Sequence, residues 1–400
     1  MKKLFLFFAA SALVISAVAQ KPVINKTPVL ARIANNHFLD NGVNESNAPL
    51  LPLGAKTASA VYVGNSYNAY SIMGALQKQL SYNETFNALG FAHRGGLTKL
   101  EGDKIYFNTS FDGGATWDST NLVFAKSHIW GRYPQGAFYN PAGNTDINNL
   151  YSLVVGCAVD SVVGTWGATY IGWKKKSGTP KNVLINHGNT DRLDNQSLQV
   201  CNDGKFYFCG DANKRNSSDD IIQFNYELIS GQIDATNDTV INVTTTVLRP
   251  PFARFGTDTL DKTTGSSAVA FNKDGSVGYY VFIGVRGDIP NPENYVSNRP
   301  IVYKTTDHGA NWNLQPDFRF DSIPVFQEIF GGNGVWQDTN LVRPYFTIDD
   351  VAVDGNDNLH IFSYVYNHST TNTDSTNYIW TYASIEGIMF DTFTTSDGWD

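Results

Sequence analysis

A guanidinium group binds a carboxylate through two parallel N–H bonds, so several arginines converging on one point would clamp an acidic ligand. Arg94, Arg132, Arg254, Arg286 and Arg343 are available for that role. Cleaving a glycosidic bond needs two carboxylates that face it. Glu328, beside Gly331-Gly332-Asn333-Gly334, and Asp350, in the pair Asp349-Asp350, are the candidate catalytic carboxylates, although the pair also suits a turn or a strand edge. Other chemistries lack their residues. There is no HExxH zinc helix, no GxxxxGK[ST] phosphate loop and no GxSxG nucleophile elbow. Histidines 38, 93, 128, 187, 308, 360 and 368 are scattered, as structural histidines are. Asp354-Gly355-Asn356-Asp357-Asn358 imitates the start of a calcium loop. Leu359 stands where that loop requires Gly, and Val365 where it requires a bidentate Glu, so the segment reads as a hairpin turn. No metal site and no cofactor is expected.

The elements that must hold these residues are strands. Of the acidic residues 30 are Asp and 7 are Glu. Asp favours turns and Glu favours helices, so the imbalance points to a turn-rich β protein. Aromatics reach 13% and charged residues only 16%, which excludes a disordered chain and a coiled coil. The net charge of −8 comes without basic clusters, which removes the electrostatic basis for nucleic-acid binding. The one basic run, Lys174-Lys175-Lys176, reads as a solvated loop. Strand-like segments dominate after about residue 58, and the only helix-like patch is Tyr70–Leu80.

A strand–turn–strand unit recurs. Its markers are Val61, Ala137, Leu198, Val269 and Val351, at offsets of 76, 61, 71 and 82 residues. Further strands follow most units, and a repeated four-stranded unit with variable loops is the sequence form of a β-propeller blade. Loops that enter the inner strands ring the mouth of a propeller's channel. This places Arg132, Tyr133, Arg343 and Tyr345 together as ligand-binding candidates, with Asp350 beside them.

Two segments sharpen the architecture. Ser110-Phe111-Asp112-Gly113-Gly114-Ala115-Thr116-Trp117 and Thr305-Thr306-Asp307-His308-Gly309-Ala310-Asn311-Trp312 share the pattern S/T-x-D-x-G-x-x-W. The Asp can accept backbone N–H bonds inside such a turn, the Gly supplies backbone freedom and the Trp can cover an apolar seam. These segments resemble the Asp-box (BNR) repeats of sialidase-like β-propellers. The resemblance implies an all-β propeller of four-stranded antiparallel blades, about six or seven in number with at least five represented, spanning residues 58–400. It also implies that Ser110, Asp112, Gly114, Trp117, Thr305, Asp307, Gly309 and Trp312 are structural and distant from any active site. Sialidases carry a first arginine within Phe/Tyr-Arg-Ile-Pro, and the nearest match here is Ala31-Arg32-Ile33-Ala34, without the aromatic or the Pro. The run Arg132-Tyr133-Pro134-Gln135-Gly136, with the first Asp box upstream, resembles secreted propeller proteins of Bacteroidota exported by the type IX system. Those proteins usually end in a sorting domain. This chain ends at Gly398-Trp399-Asp400 without one, and so reads as truncated at the C-terminus.

Met1-Lys2-Lys3, the apolar run from Leu4 to Ala19 and small residues at Ala17 and Ala19 form a Sec signal peptide over residues 1–19, with cleavage after Ala19. Removing Lys2 and Lys3 takes the net charge from −8 to −10. The apolar run is shorter than the ~20 residues of a membrane span, so no transmembrane anchor is expected. Residues 20–57 read as a lead-in segment. Export implies an oxidising compartment, yet Cys157, Cys201 and Cys209 are odd in number. A two-residue turn at Asp203-Gly204 would set Cys201 against Phe206, which disfavours a Cys201–Cys209 disulfide. The expected product is a secreted or cell-surface propeller that binds a glycan or a cell-surface protein without catalysis. Its partners in export are the Sec machinery and the type IX system. The alternative is a sialidase-like or other glycoside hydrolase with a degenerate motif set, and a third reading makes the propeller a scaffold beside another domain.

Overall fold

Branched and aromatic side chains pack well on a pleated surface, and here they build 24 strands among the residues described. The computed structural model describes residues 60–400 except 67–70, 72–75, 97, 99–101, 163, 188–194, 219, 255–259, 291–296, 319–343, 368–387, 396–397 and 400. The expected signal peptide and lead-in segment lie outside the described residues. Every strand belongs to the unit Val61–Asp400.

The strands form five antiparallel sheets of four or five strands in sequence order, and one separate two-stranded ribbon inserted in the third. The first is β1 (Leu80–Asn83), β2 (Ala88–Arg94), β3 (Ile105–Ser110) and β4 (Leu122–Phe124). The second has β5 (Ile129–Gly131) and β6 (Gln135–Tyr139) both paired with β7 (Tyr151–Asp160), followed by β8 (Thr165–Lys175) and β9 (Lys181–Asn186). The third is β10 (Gln196–Val200) and β11 (Lys205–Asp211), a small ribbon of β12 (Lys214–Arg215) and β13 (Ile221–Gln223), then β14 (Tyr226–Asp234) and β15 (Thr239–Leu248). The fourth is β16 (Thr263–Phe271), β17 (Gly278–Gly284), β18 (Arg299–Thr305) and β19 (Asn313–Leu314). In the fifth, β20 (Pro344–Phe346) and β21 (Asp350–Val353) both pair with β22 (Leu359–Asn367), followed by β23 (Ile388–Thr395) and β24 (Gly398–Trp399).

These sheets are the blades of a β-propeller. Inner strands stand side by side, β1 by β6, β6 by β10, β10 by β16 and β16 by β21. A Lys78 Nζ–Asp350 Oδ1 bridge of 3.1 Å links the last of these strands to the segment leading into the first. Between successive blades lies an apolar seam, because alternate residues of a strand point to opposite sheet faces. In β17, Tyr280 and Phe282 enter the seam with the third blade, whereas Tyr279, Val281 and Ile283 enter the seam with the fifth. In β7, Val154 and Ala158 face the first blade while Leu153 and Val155 face the third. Burial on both faces is why such strands read as continuous apolar runs. Five blades are described, the minimum expected.

Four of the five expected hairpins pair as read, at β6–β7, β10–β11, β16–β17 and β21–β22. The first does not. Val61–Asn65 form no strand, and the leading hairpin of the first blade is β1–β2 instead. The helix-like patch is also corrected where it is described: Leu76–Gln79 are not helical, and Leu80 opens β1. In the third blade, Val200 pairs with Phe206, one residue earlier in register than the expected Cys201–Phe206 pairing. The wider turn rests on Gly204, whose φ of +83° a side chain would strain and whose Cβ would stand 2.8 Å from the Ile233 carbonyl oxygen. Lys174 and Lys175 end β8 rather than lying in a loop, and Lys175 Nζ sits 5.5 Å from the Tyr151 ring centre. Lys176 follows them and stands 4.8 Å from the ring of Phe111. Aromatic faces attract the ammonium groups of Lys175 and Lys176, so the basic run is not simply a solvated loop.

Candidate functional site

Inner strands in two blades are broken by three residues. Arg132-Tyr133-Pro134 separate β5 from β6, and Thr347-Ile348-Asp349 separate β20 from β21. Proline has no N–H to give a ladder, which suits the first break. Both breaks lie where the chain enters β6 and β21, so the ligand-binding candidates Arg132 and Tyr133 and the catalytic candidate Asp350 sit at one end of the propeller. Antiparallel order puts the two S/T-x-D-x-G-x-x-W turns, which join third to fourth strands, at the other end.

At the break in the second blade the backbone is held from several sides. Arg132 N donates to the Cys157 carbonyl oxygen at 2.9 Å, and Gln77 Nε2 donates to Tyr133 O at 3.4 Å. Tyr133 adopts φ +44°, a strained conformation for an aromatic residue that persists only where its surroundings over-determine it. Its ring stacks on Trp166 of β8, with planes 8° apart and centroids 6.0 Å apart, and both rings are half-buried. Arg132 Nη1 meets Asp103 Oδ1 at 3.0 Å, and the guanidinium lies 5.5 Å from the Trp130 ring centre. Nearby Arg94 is buried and donates from Nε and Nη2 to Gly102 O at 3.1 and 3.0 Å. Burial chiefly, and then the Arg132 charge, lower its pKa. The result is an aromatic ledge flanked by an arginine–carboxylate pair.

The remaining arginines are dispersed. Arg254 pairs with Asp261 at 2.7 Å, and Arg286 forks onto Asp288 at 2.6 and 3.1 Å. Arg343 and Glu328 lie outside the described residues. Tyr345 belongs to β20 and pairs with Tyr366, but its side chain is also outside them. Asp350 is exposed, accepts from Val351 N at 2.8 Å and bridges to Lys78, while Asp349 Oδ2 accepts from Tyr364 N at 3.0 Å. Among the described residues no group of three His, Cys, Asp or Glu could hold a metal ion, and no helix is long and apolar enough to cross a membrane.

Sequence reasoning passed over the glutamines. Gln135 and Gln196 each stand two residues before a repeat marker, level with Ser267 and Asp349. Gln135 Oε1 accepts from Leu198 N at 2.8 Å and from Lys78 N at 3.3 Å, and Gln196 Nε2 donates to Ser267 O at 2.9 Å. Aligning the repeats on their markers exposes this polar column. Trp166, Trp130 and Asp103 gave no such signal, because their partners are distant in the chain.

The expected turn geometry is present twice. Ser110 Oγ donates to Asp112 Oδ1 and Thr305 Oγ1 to Asp307 Oδ1, both at 2.8 Å. Gly114 N and Gly309 N donate to those hydroxyls at 2.8 and 3.0 Å. Trp117 Nε1 and Trp312 Nε1 close the turns on Gly114 O and Gly309 O at 3.2 and 3.0 Å. The two Trp residues therefore occupy equivalent places in the first and fourth blades.

No protein-family model and no curated protein matches the chain. Among solved structures it is similar to an α-L-arabinanase of Penicillium chrysogenum complexed with arabinobiose, at 12% identity and a TM-score of 0.37, covering 74% of this chain and 78% of that one. It is also similar to an exo-β-1,3-galactanase of Phanerochaete chrysosporium bound to β-1,3-galactotriose, at 11% identity and a TM-score of 0.34 over 79% of this chain. The chain spans 60% of that galactanase's length. A thermostable family-43 glycoside hydrolase gives 10% identity and a TM-score of 0.34, covering 81% of this chain and 91% of that one. At TM-scores of this size no residue here takes a role from theirs.

Proposed function

We propose that this chain is an exported, Asp-box-type β-propeller that binds a glycan, without cleaving it, at the break in the inner strand of its second blade. The observation that carries this reading is the half-buried Tyr133–Trp166 ledge beside the Arg132–Asp103 pair. A pyranose ring has an apolar C–H face and an equatorial rim of hydroxyls. Aromatic ledges match the face, and a fixed arginine–carboxylate pair offers directed donors and acceptors to the rim. Hydrolysis would need one carboxylate held protonated and a second facing the same bond. Asp103 and Asp350 are instead each spent on a cation.

The test is a glycan array on the chain lacking residues 1–19, run beside turnover of fluorogenic glycosides. Binding of the best glycan is expected to weaken about tenfold or more in Trp166→Ala, the loss of roughly 1.4 kcal/mol. Unchanged binding in that variant, or turnover that Asp350→Asn or Glu328→Gln abolishes, would overturn the proposal.

A further inference from the structure

A second concavity lies away from the aromatic ledge, where the third blade hands over to the fourth. It is a cavity of about 300 Å³, lined by the strand-free segment that follows β15 and by residues preceding β14. The segment is anchored rather than draped. Ala253 N donates to Val285 O and Gly287 N to Pro251 O, both at 2.7 Å. Two of its side chains are arginines. Arg249 is exposed and has neither a hydrogen bond nor an ion pair among the described residues. Arg254 is fixed through Nε alone, by Asp261 Oδ1 at 2.7 Å, which leaves both η nitrogens unspent among the described residues. Asp261 is buried and its Oδ2 takes the Phe224 N–H at 3.2 Å, so the carboxylate that holds Arg254 is itself fixed.

The charge sum over the lining is two arginines against one aspartate, a local excess of +1 on a chain whose net charge is −8. A guanidinium held by Nε presents its two η N–H groups as a preformed fork, the geometry that receives two oxygens of one anion. Phe224 and Pro251 add apolar wall. We propose that this cavity is a binding site for a small ligand whose ring-shaped body carries an oxyanion. Arg254 forks the oxyanion, Arg249 closes over it as the mobile cation, and Phe224 contacts the ring. The carboxylate, sulfate and phosphate forms share this chemistry, and the site is independent of the Tyr133–Trp166 ledge.

Isothermal titration at constant ionic strength with benzoate, phenyl sulfate and phenyl phosphate separates the three anions, with benzyl alcohol as the neutral control. At least one anion is expected to bind in the millimolar range or tighter, with affinity lowered about tenfold by Arg249→Gln, the equivalent of roughly 1.4 kcal/mol. Arg254→Lys keeps the charge but removes the fork, and is expected to weaken the phosphate and carboxylate forms alike. Trp166→Ala is expected to leave anion binding unchanged, which keeps this result distinct from the glycan test. Arg249 is exposed, so its substitution leaves folding intact, and a matching thermal midpoint checks this. Absence of binding by all three anions, equal binding by benzyl alcohol, or full affinity in Arg249→Gln would each overturn the proposal.

Discussion

Asp112 and Asp307 repeat one pattern of bonds atom for atom. Each Oδ1 accepts the backbone N–H four residues on at 2.9 Å, and each Oδ2 accepts that residue's side chain, Thr116 or Asn311, at 2.6 Å. The side-chain bond first, then the backbone bond, hold both carboxyls down to about pKa 2. A depressed folded-state pKa stabilises the fold above the unfolded value of 3.8. That stability is lost as pH falls through the folded value. The variant Asp112→Asn/Asp307→Asn should therefore show a shallower fall in thermal midpoint between pH 4 and pH 2 than the wild type, together with a lower midpoint at neutral pH. Parallel melting curves across that range would show that the two turns contribute nothing to acid sensitivity. These turns were legible in the sequence because every bond in them spans at most four residues. The Arg132–Asp103 pair spans 29 residues and the Tyr133–Trp166 stack 33, so residue spacing could supply Arg132 and Tyr133 but not their partners.

At the level of elements, strands buried on both faces were readable as apolar runs, and the hairpins were readable from their turn residues. Asp203, Asp274 and Asp354 each accept the backbone N–H two residues on, at 2.9, 2.8 and 2.8 Å, in three successive blades. Leu80–Asn83 escaped notice because the strand is four residues long and its side chains alternate between exposed and half-buried, so no apolar run marks it. Between blades the apolar seams are supplemented by glutamine cross-links, which hydrophobic periodicity does not register. Gln135 is fully buried and satisfies two main-chain N–H groups, one from Lys78 and one from the third blade. Gln199 adds a reciprocal pair, donating to Phe271 O and accepting from Phe271 N at 2.7 Å. A buried donor left unpaired costs about 1–3 kcal/mol. Gln135→Leu, close in volume but without an acceptor, leaves those two N–H groups unpaired while also removing Gln135 Nε2, a buried donor with no partner among the described residues, and should lower stability to urea unfolding by about 1–2 kcal/mol. A change below about 0.5 kcal/mol would mean that the inner strands do not depend on this cross-link.

For the molecule as a whole, the proposed export sets a constraint that the thiols must meet. An oxidising compartment couples cysteines that can reach one another. Cys201 N donates to Lys205 O at 2.7 Å across the β10–β11 hairpin, whereas Cys209 pairs with Gln196 at its far end. Four residues of strand separate those two levels, roughly 13 Å at about 3.3 Å per residue. A disulfide needs Cα atoms within about 7 Å. Cys157 is in another blade, buried against the Arg132 carbonyl oxygen. All three thiols therefore stay free. Burial also protects them, pushing Cys201 and Cys209 up to about 12, far from the thiolate that reacts. The protein secreted into an oxidising medium should carry three free thiols, with an intact mass unchanged by reductant. A thiol reagent such as Ellman's should label almost none of them in the native protein at pH 8 and all three in guanidinium. A mass lower by the two hydrogens of a disulfide, or rapid labelling of the native chain, would contradict this packing. Either result would place the cysteines outside the inter-blade seams, and with them the register of β10 on β11.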